Sequence, residues 1–300
     1  MHRSATQIMR LLAVVILAAA SLAGSHAAAQ APTFQSLSAQ IPAAPAGGID
    51  SAKMPDILGI HLGMTQDVAV PMIKALYPGP GLAQPGATIV TAQYSSTPAP
   101  KWIGYVTAIP ANSCASPGSC YSNEQMNATF SGPPNKGVLV GLEHIMSFQT
   151  GKNPTVDSIK AALFQKYGAN PIVIGSSIYY WISNEQGGPL TPAPPVKSQD
   201  CGAVLLAPRQ SILAYTSFPP LKPGDLVPWL NMRCHSLGVY VKAVISAQTG
   251  SPLALTLDVR ITDTAEDMRD ALAGEAYIEQ TNAANQQKLQ KQTQGNVPTL

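Results

Sequence analysis

Residues 253–262 read LALTLDVRIT, and apolar residues alternate with polar ones along this stretch. The predicted apolar side consists of Leu253, Leu255, Leu257, Val259 and Ile261, and the predicted polar side of Thr256, Asp258, Arg260 and Thr262. A period of two with one polar side is typical of a strand in an antiparallel sheet. Residues 125–131 alternate in the same way, and the turn-rich connections 132–137 and 248–252 have the length of hairpins. The sequence therefore predicts antiparallel sheet.

Two predicted helices each precede a set of such strands. The first is capped by Thr65 and runs to about residue 76, and Pro71 predicts a kink or a late start. Its predicted apolar face consists of Val68, Met72, Ile73 and Leu76. The second opens at Thr155 and ends at Gly168, a natural C-terminal stop. Its predicted apolar face consists of Ile159, Leu163 and Tyr167.

The arrangement of helix and strands occurs twice. Strand-like runs lie near 87–94, 101–109, 125–131 and 137–148, and again near 176–183, 202–207, 238–246 and 253–262. Thr65, Asp67 and Tyr77 recur ninety residues later as Thr155, Asp157 and Tyr167. The prediction is an α+β fold of two tandem helix-plus-antiparallel-sheet repeats, residues 54–150 and 151–280, related by internal duplication.

A C-terminal helix is predicted after Asp263, where Thr264 and Asp267 approximate a capping box. Acidic pairs in and beside this helix are interpreted as solvated or dipole-favourable charges. These pairs are Glu266 with Asp267 and Asp263 with Asp270. From Gln280 the chain is rich in Asn, Gln and Lys, which predicts a frayed helix and a disordered tail over 281–300.

The N-terminal residues 1–29 are a predicted cleavable signal peptide. Arg3 and Arg10 precede an apolar run over 11–20, and small residues follow as far as Ala29. The run is shorter than the ~20 residues that span a bilayer. A flexible leader is predicted over 30–53. The mature protein is expected in the periplasm or secreted, with no transmembrane segment and no lipid-attachment cysteine.

Charge limits the classes of partner. The formal net charge is +2, and the two arginines of the predicted signal account for it. The remaining chain is neutral, and only 11% of all residues are charged. Nucleic-acid binding needs a basic surface, and recognition of anionic lipid needs a basic cluster. Neither partner is expected.

Four cysteines in an exported chain predict two disulfides. Cys114 and Cys120 flank the turn sequence CASPGSC, and Cys201 and Cys234 bracket a longer proline-containing loop. Three pairings are possible, and Cys114–Cys120 with Cys201–Cys234 is favoured because each pair closes a contiguous loop. A metal site is the alternative, and the absence of a CxxC spacing disfavours both it and a redox role.

Catalytic motifs are missing from the sequence. It contains no GxSxG, SxxK or HExxH, and no Walker A or GxGxxG loop. The histidines outside the predicted signal are His61, His144 and His235. His144 falls on a predicted apolar strand side, which favours a core residue over a base, and Glu143 next to it points the other way. No catalytic, metal or cofactor residue is assigned, and no cofactor is expected.

Aromatic residues are the candidate contacts. Trp102, Tyr179 and Trp181 lie in predicted strands, and Trp229 lies in the loop between Cys201 and Cys234. On an exposed sheet face, such residues contribute strongly to binding. Ordinary core packing and cross-strand pairing are the alternative.

Two short segments carry a resemblance, ILGIHLGMT over 57–65 and AALFQKYG over 161–168. Together they resemble a loose group of exported proteobacterial proteins of uncharacterised function. The repeated helix-and-sheet module also resembles the beta-lactamase-inhibitor-protein fold and the outer-membrane assembly lipoprotein module. The chain departs from the lipoprotein type because it lacks a lipidated cysteine. The resemblance implies a fold and assigns no catalytic residue.

These observations favour a non-enzymatic periplasmic or secreted binding or scaffolding protein, with an envelope protein as its partner. Two alternatives stay open. The first is a secreted hydrolase with a dispersed active site, in which one of the three histidines is essential. The second is a carrier of a small apolar ligand, which requires a closed pocket between sheet and helix.

Overall fold

The computed structural model describes residues 49–82, 84–93, 101–111, 114–116, 119–120, 124–135, 137–148, 151–168, 171–174, 177–188 and 238–294, with positions 44 and 46. The helices are α1 (Gln66–Leu76), α2 (Val156–Tyr167) and α3 (Thr264–Gln294). The strands are β1 (Asp56–Ile57), β2 (Ile60–His61), β3 (Gly86–Gln93), β4 (Lys101–Ile109), β5 (Cys114–Ser116), β6 (Ser119–Cys120), β7 (Glu124–Phe130), β8 (Leu139–Ser147), β9 (Ile172–Ile174), β10 (Ser177–Ser183), β11 (Val239–Ala247) and β12 (Ala254–Asp263).

The described residues all belong to one compact unit, Phe34–Leu300. The predicted signal peptide and the predicted strand at 202–207 lie outside the described residues. Of the helices that are described, none has the length and apolar character needed to cross a membrane.

Eight of the strands form one antiparallel sheet in the order β3-β4-β7-β8-β12-β11-β10-β9. The hairpins β1–β2 and β5–β6 are separate two-stranded sheets. The predicted α+β class is confirmed, as is the C-terminal helix. The alternation in residues 253–262 gives β12, which pairs on both sides and therefore lies inside the sheet.

The large sheet consists of two four-stranded meanders. Strands β3, β4, β7 and β8 pair in sequence order after α1, and β9, β10, β11 and β12 pair in sequence order after α2. The last strands of the two meanders join them, because β8 pairs with β12 from Gly141–Thr262 to Ser147–Thr256. We call this β8–β12 pairing the seam.

Equivalent backbone hydrogen bonds occur where each helix begins. Leu139 N–H donates to the Met64 carbonyl at 2.8 Å, and Ala254 N–H donates to the Pro154 carbonyl at 2.9 Å. In the same way, Gln66 N–H donates to the carbonyl of Gly137 and Val156 N–H to that of Pro252, each at 2.8 Å. These bonds anchor the start of α1 to the beginning of β8, and the start of α2 to the beginning of β12. These matches support the internal duplication, which stays a prediction.

The predicted duplication makes a definite demand on the sheet. The residue offset that relates Leu139 to Ala254 also relates His144 to Val259, and these two residues are directly opposite each other in the seam. If the meanders are duplicates, a local two-fold axis passes through the His144–Val259 pair.

The two faces of the sheet differ. Helices α1 and α2 pack on one face, where Ile73, Ile159 and Leu163 join a single apolar cluster with side chains of β4, β7, β8, β11 and β12. We call this the first face. Helix α3 lies on the opposite side, the second face, where Ile278 packs against Trp102 of β4. The predicted apolar face of α2 is confirmed, with Thr155 as its cap and Gly168 at its end.

The apolar face predicted for α1 is wrong in part. Ala69, Val70 and Ile73 are buried, with Tyr77 one turn further on. Val68 and Leu76 are 50% and 44% exposed. Apolar residues lie on both sides of this helix, so spacing alone does not select the buried side. The helix begins at Gln66 and contains Pro71, so the late start is also wrong.

Order begins before Met54, contrary to the predicted leader. Residues 51–53 form a 3-10 helix, and Ile49 packs against the main apolar cluster. Asp50 N–H donates to the Glu185 carbonyl at 3.2 Å. The packing of Ile49 and the hydrogen bond of Asp50 thus hold the end of the predicted leader in place, although the composition of the leader predicts flexibility.

At the start of β12, Leu253 and Leu255 are 40% and 43% exposed, whereas Ala254 is buried. The alternation in 253–262 therefore fails at its first residues. The register between β11 and β12 shifts at Ser246–Ala247, and this shift changes which residues face the cluster.

The start and the end of α3 differ from the prediction. Asp263 caps the helix, because Glu266 N–H donates to Asp263 Oδ1 at 3.0 Å. The Thr264 hydroxyl instead bonds to Gly238. Asp263, Asp267 and Asp270 are buried, so the solvated alternative is wrong for them. Glu266 and Asp267 do lie in the first turn, as the dipole-favourable alternative requires. The helix continues to Gln294, across most of the predicted tail.

Replacing Ile73 with Ala is expected to lower the free energy of unfolding by about 2–4 kcal/mol, because a fully buried side chain leaves a cavity. Val68→Ala, in the same helix, is expected to change it by less than about 0.5 kcal/mol, because Val68 is half exposed. Urea denaturation measures both. Equal losses for the two variants would contradict the observed orientation of α1.

Candidate functional site

One row of directly opposite residues crosses the second face between neighbouring strands. We call it the polar row. Its members, from β3 to β10, are Thr88, Thr107, Asn127, Glu143, Arg260, Lys242 and Tyr179. Opposite residues in an antiparallel pair lie on the same face and within reach of each other. The row therefore collects polar residues that are far apart in the sequence.

Hydrogen bonds connect the first-meander half of the polar row. Thr107 Oγ1 donates to Asn127 Oδ1 at 2.9 Å. Gln125, two residues from Asn127 on the same strand, donates through Nε2 to Asn127 Oδ1 at 2.9 Å. Asn127 Nδ2 then donates to Glu143 Oε2 at 2.6 Å. Three neighbours fix the orientation of the Asn127 amide, and Gln125 bonds to both Asn127 and Thr107, so this part of the row is preorganised.

An ion pair across the seam completes the network. Arg260 Nε lies 2.6 Å from Glu143 Oε1, and Arg260 Nη2 lies 2.7 Å from Asp258 Oδ2. The Glu143 side chain is 2% exposed, whereas that of Arg260 is 23% exposed. One Glu143 oxygen accepts from Asn127 and the other is ion-paired with Arg260, which suits a positioning role better than that of a base. The guanidinium is held between the two carboxylates, and the side chain stays partly exposed.

A second row on this face lies on the side of α3, and we call it the aromatic row. Its members are Val90, Tyr105, Thr129, Gly141, Thr262, Tyr240 and Trp181. Tyr105 and Tyr240 are buried. Burial raises the pKa of both phenols, and the charge of Glu143 adds to this at Tyr105. Both hydroxyls therefore stay protonated at neutral pH.

One of the predicted contact aromatics, Trp102, has a described side chain, and it lies on the second face. Trp102 is half-buried and packs against Ile278 of α3. The register places Tyr179 in the polar row and Trp181 in the aromatic row. The side chains of Tyr179 and Trp181, and all of Trp229, lie outside the described residues. Their role as contacts stays a prediction.

A different polar group lies on the first face, beneath the end of α1. We call it the first-face trio. Tyr77 Oη donates to Glu124 Oε1 at 2.8 Å, and His144 Nε2 lies 2.8 Å from the same oxygen. Burial and the neighbouring Glu124 raise the pKa of Tyr77. The predicted burial of His144 is confirmed at 6% exposure. Its carboxylate partner was not predicted, because Glu124 is twenty residues away in sequence.

The other half of the fold builds the equivalent region without polar side chains. By the residue offset between the starts of β8 and β12, His144 corresponds to Val259, and the strand registers then relate Glu124 to Val241. Tyr167, the equivalent of Tyr77, donates instead to the Asp56 carbonyl at 2.9 Å. The helix-to-sheet contact therefore forms without a buried histidine and carboxylate. The first-face trio is a special feature of one half.

The other sequence candidates do not join these sites. The His61 ring contacts the Met54 carbonyl at 3.2 Å, and His235 lies outside the described residues. Cys114 and Cys120 are opposite residues of the β5–β6 hairpin, but their side chains are not described. Cys201 and Cys234 also lie outside the described residues, so the disulfides stay a prediction. Within the described ranges, no three His, Cys, Asp or Glu side chains are grouped so as to hold a metal ion.

Comparison of the chain with protein-family models, with curated proteins and with solved structures gave no match. The resemblance carried by residues 57–65 and 161–168 therefore stays a prediction. The geometry of the polar row, the aromatic row and the first-face trio is the basis for assigning function.

Arg260→Met is expected to lower the free energy of unfolding by about 3 kcal/mol, because it leaves the buried Glu143 carboxylate without its counter-charge. The double variant Glu143→Gln with Arg260→Met is expected to recover more than half of this loss. The Gln side chain is neutral and keeps an oxygen for Asn127. Chemical denaturation measures both values.

Asp258→Asn is the matched control, since it changes the more exposed partner of Arg260 and is expected to cost less than about 1 kcal/mol. A double variant as unstable as Arg260→Met alone would show that the ion pair does not hold the row together.

Proposed function

We propose that the chain is an exported, non-enzymatic binding or scaffolding protein that acts in the periplasm or outside the cell. Its binding surface is the part of the second face that carries the polar row. Its partner is an envelope protein. The observation that carries this proposal is the preorganised hydrogen-bond network from Thr107 to Arg260.

Preorganisation favours binding because a fixed donor loses little entropy when a partner docks. The polar row has buried members in its middle, Asn127 and Glu143, and half-buried members around them, Thr107, Lys242 and Arg260. The buried residues hold the others in position. The half-buried residues then offer hydroxyl, ammonium and guanidinium groups from a rigid sheet.

The charge on this surface is mixed. Asp258 and Glu143 are acidic, whereas Lys242 and Arg260 are basic. A balanced surface suits a folded protein partner with polar and charged groups of both signs. The nearby Trp102 supplies the aromatic character that strong protein contacts use.

Site-specific photocrosslinking in the native host tests the proposal. A photoreactive amino acid at Thr256, on the second face of β12 and four residues from Arg260, is expected to give one discrete product with an envelope protein. The same probe at Gln165, on the exposed side of α2, is the matched control and is expected to give none. Arg260→Ala is expected to remove the product while the protein stays folded by circular dichroism.

The result that contradicts the proposal is a product obtained equally from Gln165, or one that Arg260→Ala leaves unchanged. Either outcome would place the contact elsewhere on the molecule.

A hydrolase is the second candidate function, and the first-face trio favours it. If His144 Nε2–H donates to Glu124, then Nδ1 is the proton acceptor. His144 then takes a proton from a water molecule as that water attacks an ester carbonyl. The ester C–O bond breaks, and the proton passes to the departing alcohol. The broken symmetry supports this role because the other half of the fold uses Val241 and Val259 at these positions.

Hydrolysis of a panel of p-nitrophenyl esters tests the second candidate. Turnover by the unmodified protein is expected to fall at least about a hundredfold in His144→Gln and in Glu124→Gln, as for loss of a general base. His61→Gln is the control and is expected to retain activity. No turnover by the unmodified protein across the panel, or full activity in His144→Gln, removes this candidate.

A further inference from the structure

Helix α3 crosses the second face from β11 towards β4, and we call residues 264–278 the strap. At its start, Thr264 N–H donates to the Gly238 carbonyl at 2.9 Å. Ile278 is fully buried against Trp102 of β4. Between these residues the helix rises about 21 Å. Four strand spacings amount to about 19 Å, so the strap spans the strands from β11 to β4 near the aromatic row.

Carboxyl groups crowd the start of the strap, and we call them the acidic cluster. Its members are Asp263, Glu266, Asp267 and Asp270 of β12 and α3, with Glu185 from the turn after β10. Arg269 is the one cation that the described residues contribute to the cluster, and it pairs with Glu185 and Glu266. Five carboxyl groups thus share one guanidinium.

The acidic cluster ties the strap to two other parts of the protein. Both Asp270 oxygens lie 3.0 Å from the Gly132 N–H, in the loop between β7 and β8. Asn135 Nδ2 also donates to Asp270, at 3.0 Å. Arg269 connects the strap to Glu185 beside β10. Release of the cluster therefore removes one attachment of the strap to each meander.

Asp263 is the most constrained member. It is fully buried, and its Oδ1 accepts the capping bond from Glu266 N–H. Its Oδ2 is buried with no hydrogen-bond partner among the described residues. A protonated Oδ2 carries no charge in this position, whereas an ionised one does, and an uncompensated buried charge is strongly unfavourable. The geometry therefore favours the protonated acid when the strap is docked.

Burial and the neighbouring acids act in the same direction, whereas the Arg269 guanidinium paired with Glu266 acts against them. Burial and the charge of Asp267 raise the pKa of Asp263 to about 7, against two backbone N–H bonds that oppose the change. Burial and the charges of Asp263, Asp270 and Asp267 raise the pKa of Glu266 to about 7. Tyr240 of β11 also faces Asp263 and is neutral, and burial lowers the pKa of Arg269 only to about 10. Arg269 stays charged while the two acids titrate.

We propose that the strap is a pH-sensitive cover of the second face, which protonation of the acidic cluster holds closed and ionisation loosens. The docked state has raised acid pKa values, so its extra stability is fully present below the ordinary values near 4. It is lost as the pH rises through about 7. Opening uncovers Trp102 and the aromatic row beside the polar row. The consequence for binding rests on the proposed function, whereas the opening itself does not.

Hydrogen exchange of the full chain, read by mass spectrometry and corrected for the intrinsic pH dependence of exchange, tests the proposal. Protection of residues 264–278 is expected to fall about tenfold or more between pH 5 and pH 7. Protection of α2 in the same sample is expected to stay constant. Asp263→Asn with Glu266→Gln is expected to abolish the pH response, because Asn keeps an oxygen for the cap and neither side chain titrates.

Asp157→Asn, in the exposed first turn of α2, is the matched control and is expected to keep the full response. If the double variant fails to fold, Glu266→Gln alone is the substitute. It is expected to halve the change in the logarithm of the protection factor between pH 5 and pH 7. Constant protection of the strap in the unmodified protein, or a full response without the two acids, overturns the proposal. The measurement uses no partner, so its outcome is independent of the crosslinking result.

Discussion

The seam between β8 and β12 is the contact on which the remaining structure depends. It joins two meanders that are each complete in their own neighbour pairs, and it makes one sheet of them. It also sets Glu143 opposite Arg260, so the centre of the polar row exists only when the seam forms. Because α3 follows β12 without a linker, the position of β12 determines where the strap begins.

A fold whose halves match offers a comparison within one molecule. Where the halves agree, as in the bonds of Leu139 and Ala254 at the helix starts, the common feature serves the architecture. Where they differ, the feature present in one half is not needed to build the fold. The first-face trio is such a feature, since Val259 stands at the position equivalent to His144. The same reasoning supports a specialised role for α3, which follows the second meander alone.

Local features of the fold were predictable from sequence, and long-range ones were not. Alternation predicted β12, and Thr155 with Gly168 bounded α2, because these signals lie within a few residues of one another. Asp263 followed by Glu266 also carried a local capping signal, which Thr264 obscured. The Glu143–Arg260 pair could not be predicted, since its partners are separated by most of the second half of the chain. The acidic pairs at the start of α3 were likewise interpreted as solvated or dipole-favourable charges, and nothing local in the sequence indicated that packing of the strap buries them.

The order of the strands has a consequence for the way the chain folds. Within each meander every strand pairs with the next strand of that meander, and even the longest connection, from Ser183 of β10 to Val239 of β11, is shorter than the one between the seam strands. The seam instead pairs Leu142 with Ile261 and closes a much longer loop. Closing a long loop costs more entropy, and topologies rich in such contacts fold more slowly. Assembly of the two meanders is thus the natural late step, and until then the edges of β8 and β12 are exposed to other chains.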